Sequence, residues 1–153
     1  MREYKFRGKN KDIGWVYGQL AYDINGNAYI IQEVELDSSY ELEETILFAT
    51  MWYRVDKETV GQYTGRKDKN GKEICEGDIL TIPEWLINDN QEVCVCIYDQ
   101  ENTVSDIIGF GLYTKDGYSG KFKILVYSDE WDEFKVIGNI YDNPELLGGN
   151  NGD

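Results

Sequence analysis

Polar and apolar residues alternate with a period of two along most of the chain. Tyr4 and Phe6 alternate with Glu3, Lys5 and Arg7, and Trp15, Tyr17 and Gln19 alternate with Val16 and Leu20. Val93, Val95 and Ile97 share one side of a segment whose other side carries Cys94, Cys96 and Tyr98. Phe134, Val136, Gly138 and Ile140 repeat the spacing. Successive side chains of an extended backbone point to opposite faces, so this alternation of β-branched and aromatic residues predicts strands. Further strands are expected over 27–34, 50–55, 59–64, 73–82, 106–114 and 120–127.

The runs are separated by turn chemistry. Asn25-Gly26, Asn70-Gly71 and Asp116-Gly117 tolerate the positive φ that tight hairpins require. Pro83 ends a strand, and Pro144 can open the first turn of a short helix over Glu145-Leu146-Leu147. Residues 39–48, SYELEETILF, fit a short helix capped by Ser39 as well as they fit a strand. The polar, glycine-rich residues 148–153 read as a frayed tail. The pattern predicts a mainly β protein whose antiparallel strands form a small SH3-like or related barrel with an additional N-terminal β subdomain and few short helices. It should form one compact unit over 1–147, divisible into subdomains 1–58 and 59–147.

Composition narrows the function. In 153 residues, 15 Lys and Arg stand against 29 Asp and Glu, a net charge of -14. With 41% hydrophobic residues and 12 tyrosines there is enough apolar material for a core, unlike an acidic disordered chain. No histidine occurs, which excludes Ser-His-Asp and Cys-His catalysis and imidazole metal ligands. The net charge opposes direct nucleic-acid binding across a broad face, because phosphates would be repelled. No apolar run approaches the roughly 20 residues that span a bilayer, and the opening MREYKFRGKNK lacks a signal-peptide core. Three cysteines do not make a disulfide framework. A cytoplasmic protein without a membrane partner is the expectation.

The charge is unevenly spread. Arg2, Lys5, Arg7, Lys9 and Lys11 oppose only Glu3 in the first eleven residues, whereas no Lys or Arg occurs between Lys72 and Lys115. The basic segment is most simply neutralised by the acidic remainder of the chain.

Three stretches are more specific than β patterning. One is Thr59-Val60-Gly61-Gln62-Tyr63-Thr64-Gly65-Arg66-Lys67-Asp68-Lys69-Asn70-Gly71-Lys72-Glu73-Ile74, which runs on into Cys75-Glu76-Gly77-Asp78-Ile79-Leu80. The other is Val136-Ile137-Gly138-Asn139-Ile140-Tyr141-Asp142-Asn143-Pro144-Glu145-Leu146-Leu147. Together with Lys5-Phe6-Arg7, these motifs resemble the YopX family of phage and prophage proteins. Cys75 departs from that pattern, since the family usually carries an aromatic there, a difference that concerns packing. The resemblance implies a β-rich, phage-encoded accessory protein in a bacterial cytoplasm. It carries over no catalytic residue, cofactor or substrate.

Physically, Asp68-Lys69-Asn70-Gly71 is a polar turn between two strands. Glu76-Gly77-Asp78 is a tight corner similar to the opening of a small SH3-like barrel: glycine permits the bend and aspartate can accept nearby N–H groups. Gly138 inside a strand suggests a bulge or a close backbone crossing.

Candidate chemistry is sparse. Asp129, Glu130, Asp132 and Glu133 cluster around Trp131 but match no calcium-loop spacing, so a solvated loop is expected. Cys94-x-Cys96 could approach one ion from one strand face, yet a closed zinc site wants four ligands, and small buried hydrophobes are the simpler reading. No pair among the acids stands out for glycoside hydrolysis, and no phosphate-cradling glycine loop occurs. No catalytic, cofactor-binding or metal residue is assigned, no cofactor is expected, and the chain reads as a non-enzyme. Four tryptophans and 12 tyrosines exceed what a small core must bury. Such aromatics favour interfaces, and free strand edges favour self-association. The expected function is therefore a protein-binding or regulatory module with an unidentified protein partner, able to form a homo-oligomer. The alternative is an acidic decoy that mimics nucleic acid and occupies a basic site on a host protein.

Overall fold

A computed structural model describes residues 4–37, 46–86, 92–98, 110–114, 123–124 and 130–148. Among them the chain is built from ten β-strands and three short 3-10 turns, all strand pairings being antiparallel. The mainly β expectation holds. The predicted turn at Asp116-Gly117, most of the predicted helix-or-strand 39–48 and the tail from residue 149 lie outside the described residues. Residues 46–48 belong to a strand.

The chain divides into two compact units, Met1–Gln62 and Tyr63–Asp153. In the first, β1 (Phe6–Asn10), β2 (Gly14–Tyr22), β3 (Ala28–Asp37) and β4 (Ile46–Lys67) pair in sequence order, and β1 also pairs with β4. The period-two pattern decides which side is buried. Val16, Ala28, Ile30 and Val55 form the core, with Phe6, Leu20, Tyr53 and Val60 packed against them.

β4 replaces two predicted strands, 50–55 and 59–64, with one of 22 residues. The polar triplet Asp56-Lys57-Glu58 has turn composition, yet it lies within the strand and is held by local hydrogen bonds. Glu58 N–H donates to Asp56 Oδ1 and the Thr59 hydroxyl donates to the Asp56 carbonyl. Thr59 Oγ1 in turn accepts the Lys9 N–H at 2.8 Å. The β1–β4 register shifts between Arg7 and Lys9, so the triplet is absorbed as an irregularity of the ladder.

In the second unit the predicted strand 73–82 is broken at the Glu76-Gly77 corner into β5 (Glu73–Cys75) and β6 (Asp78–Thr81). β5 pairs with the end of β4, between Tyr63 and Cys75. β7 (Val93–Tyr98), β8 (Phe110–Thr114), β9 (Lys123–Ile124) and β10 (Lys135–Asn139) follow, and the sheet runs β10-β6-β7-β8-β9. Its core holds Ile74, Leu80, Cys94, Cys96, Phe110, Leu112, Trp131, Phe134 and Val136.

Both expected corner devices are present. Gly77 has φ 85°, and Asp78 Oδ2 accepts the Cys75 N–H at 2.8 Å. The β10–β6 register shifts between Val136 and Gly138, where a Cβ at Gly138 would lie 2.4 Å from Asn143 Oδ1. Pro144 opens the 3-10 turn Pro144–Leu147, which Gly148 closes at φ 62°.

Candidate binding surface

The chemical clusters read from the sequence are placed as far as the described residues reach. Cys94 and Cys96 are both fully buried in the second core, and Cys75 is 2% exposed. Burial pushes the Cys94 thiol far above its ordinary range. Burial, then the charge of Asp78, does the same to Cys96. Thiols held protonated in an apolar core pack as small hydrophobes.

Of the acidic cluster, Asp129 lies outside the described residues and Asp132 is exposed. Trp85 Nε1 donates to a Glu133 carboxylate oxygen, while Trp131 is buried. Among the described residues no group of three or more His, Cys, Asp or Glu side chains gathers as a cation site.

Two buried carboxylates, Asp68 and Asp78, are committed to the backbone, Asp78 through the Cys75 N–H. Asp68 closes its own turn, with Oδ1 accepting the N–H groups of Asn70 and Lys72, and Oδ2 reaches the Val136 N–H at 2.9 Å. Burial would raise this carboxyl. The N–H groups of Val136, Lys72 and Asn70, with the Lys72 charge, outweigh it and hold Asp68 below the usual carboxylate range.

The exposed aromatic material concentrates on the outer side of the first unit. Opposite the core positions Ala28, Ile30 and Val55, the alternate residues Tyr29, Ile31 and Trp52 point outwards, since Tyr29 pairs with Arg54 and Ile31 with Trp52. Trp52 is 54% exposed and meets Tyr29 edge to face, their ring centroids 5.5 Å apart. With Ala21, Tyr22, Asp23 and Ala49 they line a shallow groove of about 290 Å³.

Asp23 caps one end of this groove. Its Oδ1 accepts the Asn25 and Asn27 N–H groups, and its Oδ2 accepts Asn27 Nδ2 and the Tyr29 hydroxyl. Hydrogen bonds from the Asn27 side chain and backbone lead in holding its carboxyl low, so the cap is anionic at neutral pH. The surplus of aromatics over core capacity was the sequence signal for such a surface; which of them would be exposed was not.

The basic N-terminal segment divides. Arg7 is 3% exposed, its guanidinium 4.7 Å from the Trp15 ring centroid, so it belongs to the interior. Lys9 and Lys11 join Arg54 and Lys57 around a second cleft of the same unit.

An antiparallel β protein with two separate cores, whose described ionisable groups serve packing, turns and surfaces, is the class that fold and site define. The YopX protein family matches residues 5–148, and the chain belongs to it. A solved structure, protein EF1440 from Enterococcus faecalis, is similar at 23% identity with a TM-score of 0.57. The match covers 96% of this chain and 99% of that one. At that identity the likeness shows the fold. No similar protein was found among curated sequences. No described helix is long and apolar enough to cross a membrane.

Proposed function

We propose that the protein is a non-enzymatic binding module that engages a protein partner through the aromatic groove around Trp52. The observation that carries this reading is a tryptophan more than half exposed within a strand, set edge to face on Tyr29 over apolar neighbours. Tyr and Trp supply large contact area at low entropy cost and recur as interface anchors. The anionic Asp23 beside them disfavours phosphates and favours a partner segment in which an apolar side chain neighbours Lys or Arg. A corner at Gly77, a bulge at Gly138 and the pairing of β10 with β6 support reading the second unit as a small SH3-like barrel. The acidic-decoy reading has less support: Asp78, in the cation-free stretch, is 1% exposed and spent on the Cys75 N–H.

The test selects peptides from a random displayed library on the intact protein, then titrates them against Trp52→Ser. Peptides pairing an aromatic or aliphatic residue with Lys or Arg are expected, weakened at least tenfold by the substitution, with unchanged circular dichroism. Peptides binding both proteins equally, or no enrichment, would remove the groove as the contact surface. Sedimentation at tens of micromolar covers the homo-oligomer: a dimer dispersed by Trp52→Ser would make a second copy the partner.

A further inference from the structure

The second cleft of the first unit differs from the aromatic groove in size and in charge. It has a volume of about 550 Å³ and is lined by Lys9, Asn10, Lys11, Gly14, Asn27, Ala28, Arg54, Val55, Asp56 and Lys57. Four cations and one carboxylate give this lining a local charge of +3, in a chain whose net charge is -14. Scattered surface lysines would not produce that segregation. It arises from the fold, because the tip of the β1–β2 hairpin, the start of β3 and the middle of β4 converge there.

The arrangement is also held in place. Asn10 Nδ2 donates to the Arg54 carbonyl at 2.8 Å, and Asn10 Oδ1 accepts the N–H groups of Asp12 and Ile13, which fixes the hairpin tip against β4. Arg54 Nη2 donates to Asn27 Oδ1 at 2.6 Å. That bond orients the guanidinium and uses one of its five N–H donors. The same Asn27 is held by Asp23, so Arg54 is anchored through two side chains to the β2–β3 turn. An oriented guanidinium beside lysines is the donor set that recognises phosphate, by forked hydrogen bonds and by point charge.

We infer that this cleft binds a small phosphorylated molecule of nucleotide or sugar-phosphate size, with Arg54 orienting the phosphate and Lys11 and Lys57 supplying charge at its rim. The size argument is that clefts of roughly 300–1,000 Å³ suit small ligands. The charge argument sets the class. A short phosphate ligand meets the local positive field alone, whereas a polynucleotide would run beyond the cleft into the repulsion of an acidic protein. Asp56 neighbours the site with a carboxylate whose Oδ1 accepts the Glu58 N–H. An ionised carboxylate only accepts hydrogen bonds, so it favours ligands that present a hydroxyl on that side.

The experiment titrates the full chain, at one fixed ionic strength, with inorganic phosphate, adenosine monophosphate, glucose 6-phosphate and a ten-residue oligothymidylate, followed by calorimetry. Saturable binding of at least one small phosphate compound is expected, together with a tenfold or greater loss of affinity in Lys11→Ser/Lys57→Ser. Both lysines are exposed, so circular dichroism and melting of that variant should match the parent. Binding of the oligonucleotide alone would overturn the inference in favour of a polymer. Binding that the double substitution leaves intact would place the site elsewhere and overturn it as well, and so would no binding of any probe. The peptide-binding reading is tested by Trp52 in the other groove and this one by Lys11 and Lys57, so failure of the first leaves this test standing.

Discussion

At the scale of single residues, Asp68 shows how one carboxylate can order distant backbone. One oxygen completes the turn before β5 and the other receives an N–H from β10, 68 positions along the chain. Replacing it by Asn presents an amide to N–H groups that expect an acceptor, a loss of about 2–3 kcal/mol for charge-assisted bonds to a buried group. The pH dependence follows from the sign of the shift. The folded carboxyl titrates below the unfolded value of 3.8, so its contribution is complete above that value and is lost as pH falls through the folded pKa. The melting temperature of Asp68→Asn is therefore expected to lie several degrees below the parent near neutral pH, with the gap closing on acidification below about pH 4. A gap constant down to about pH 2 would show that the carboxylate charge is not what stabilises this turn.

At the scale of elements, close backbone approach decides where side chains are tolerated. A Cβ on Gly18 in β2 would lie 2.2 Å from the Ile31 carbonyl oxygen in β3, so an added methyl must push the two strands apart. Gly14, at φ 82°, has nothing within 4 Å of its Cβ position, and Ala there meets only backbone strain of about 1–2 kcal/mol. Forcing volume between paired strands costs about 1–3 kcal/mol or more. Gly18→Ala should consequently melt lower than Gly14→Ala in matched thermal scans; the reverse order would contradict the packing described for β2 and β3.

The same scale shows what the sequence could reveal. The Gly77–Asp78 corner and the Gly138 bulge were readable because glycine and aspartate solve local problems with local atoms. The continuity of β4 was not, since Asp56-Lys57-Glu58 has turn composition and is kept in the ladder by another strand, through the Lys9–Asp56 pairing and the Lys9–Thr59 bond. The basic cleft was hidden for a related reason. Lys11 and Lys57 are brought together by the pairing of Lys9 with Asp56, a register that no periodicity along one segment encodes. The basic N-terminal residues looked like one set, yet burial of Arg7 against Trp15 separates it from the lysines that follow.

At the scale of the whole molecule, all three thiols lie in the second unit and all are buried. Attack on a disulfide reagent requires the thiolate, and both access and ionisation are suppressed here, because burial drives the Cys94 and Cys96 thiols upward. Reaction can then proceed only through molecules whose second core has opened, so its rate reports the free energy of that opening. With Ellman's reagent near pH 8, the native protein is expected to release less than one equivalent of chromophore over minutes, and three equivalents at once in concentrated guanidinium. Added zinc should raise the melting temperature no further than magnesium at equal ionic strength, since a metal must first displace protons from thiols that the core keeps neutral. A thiol that reacts within seconds in the folded protein, or a zinc-specific stabilisation, would return Cys94-x-Cys96 from packing to chemistry.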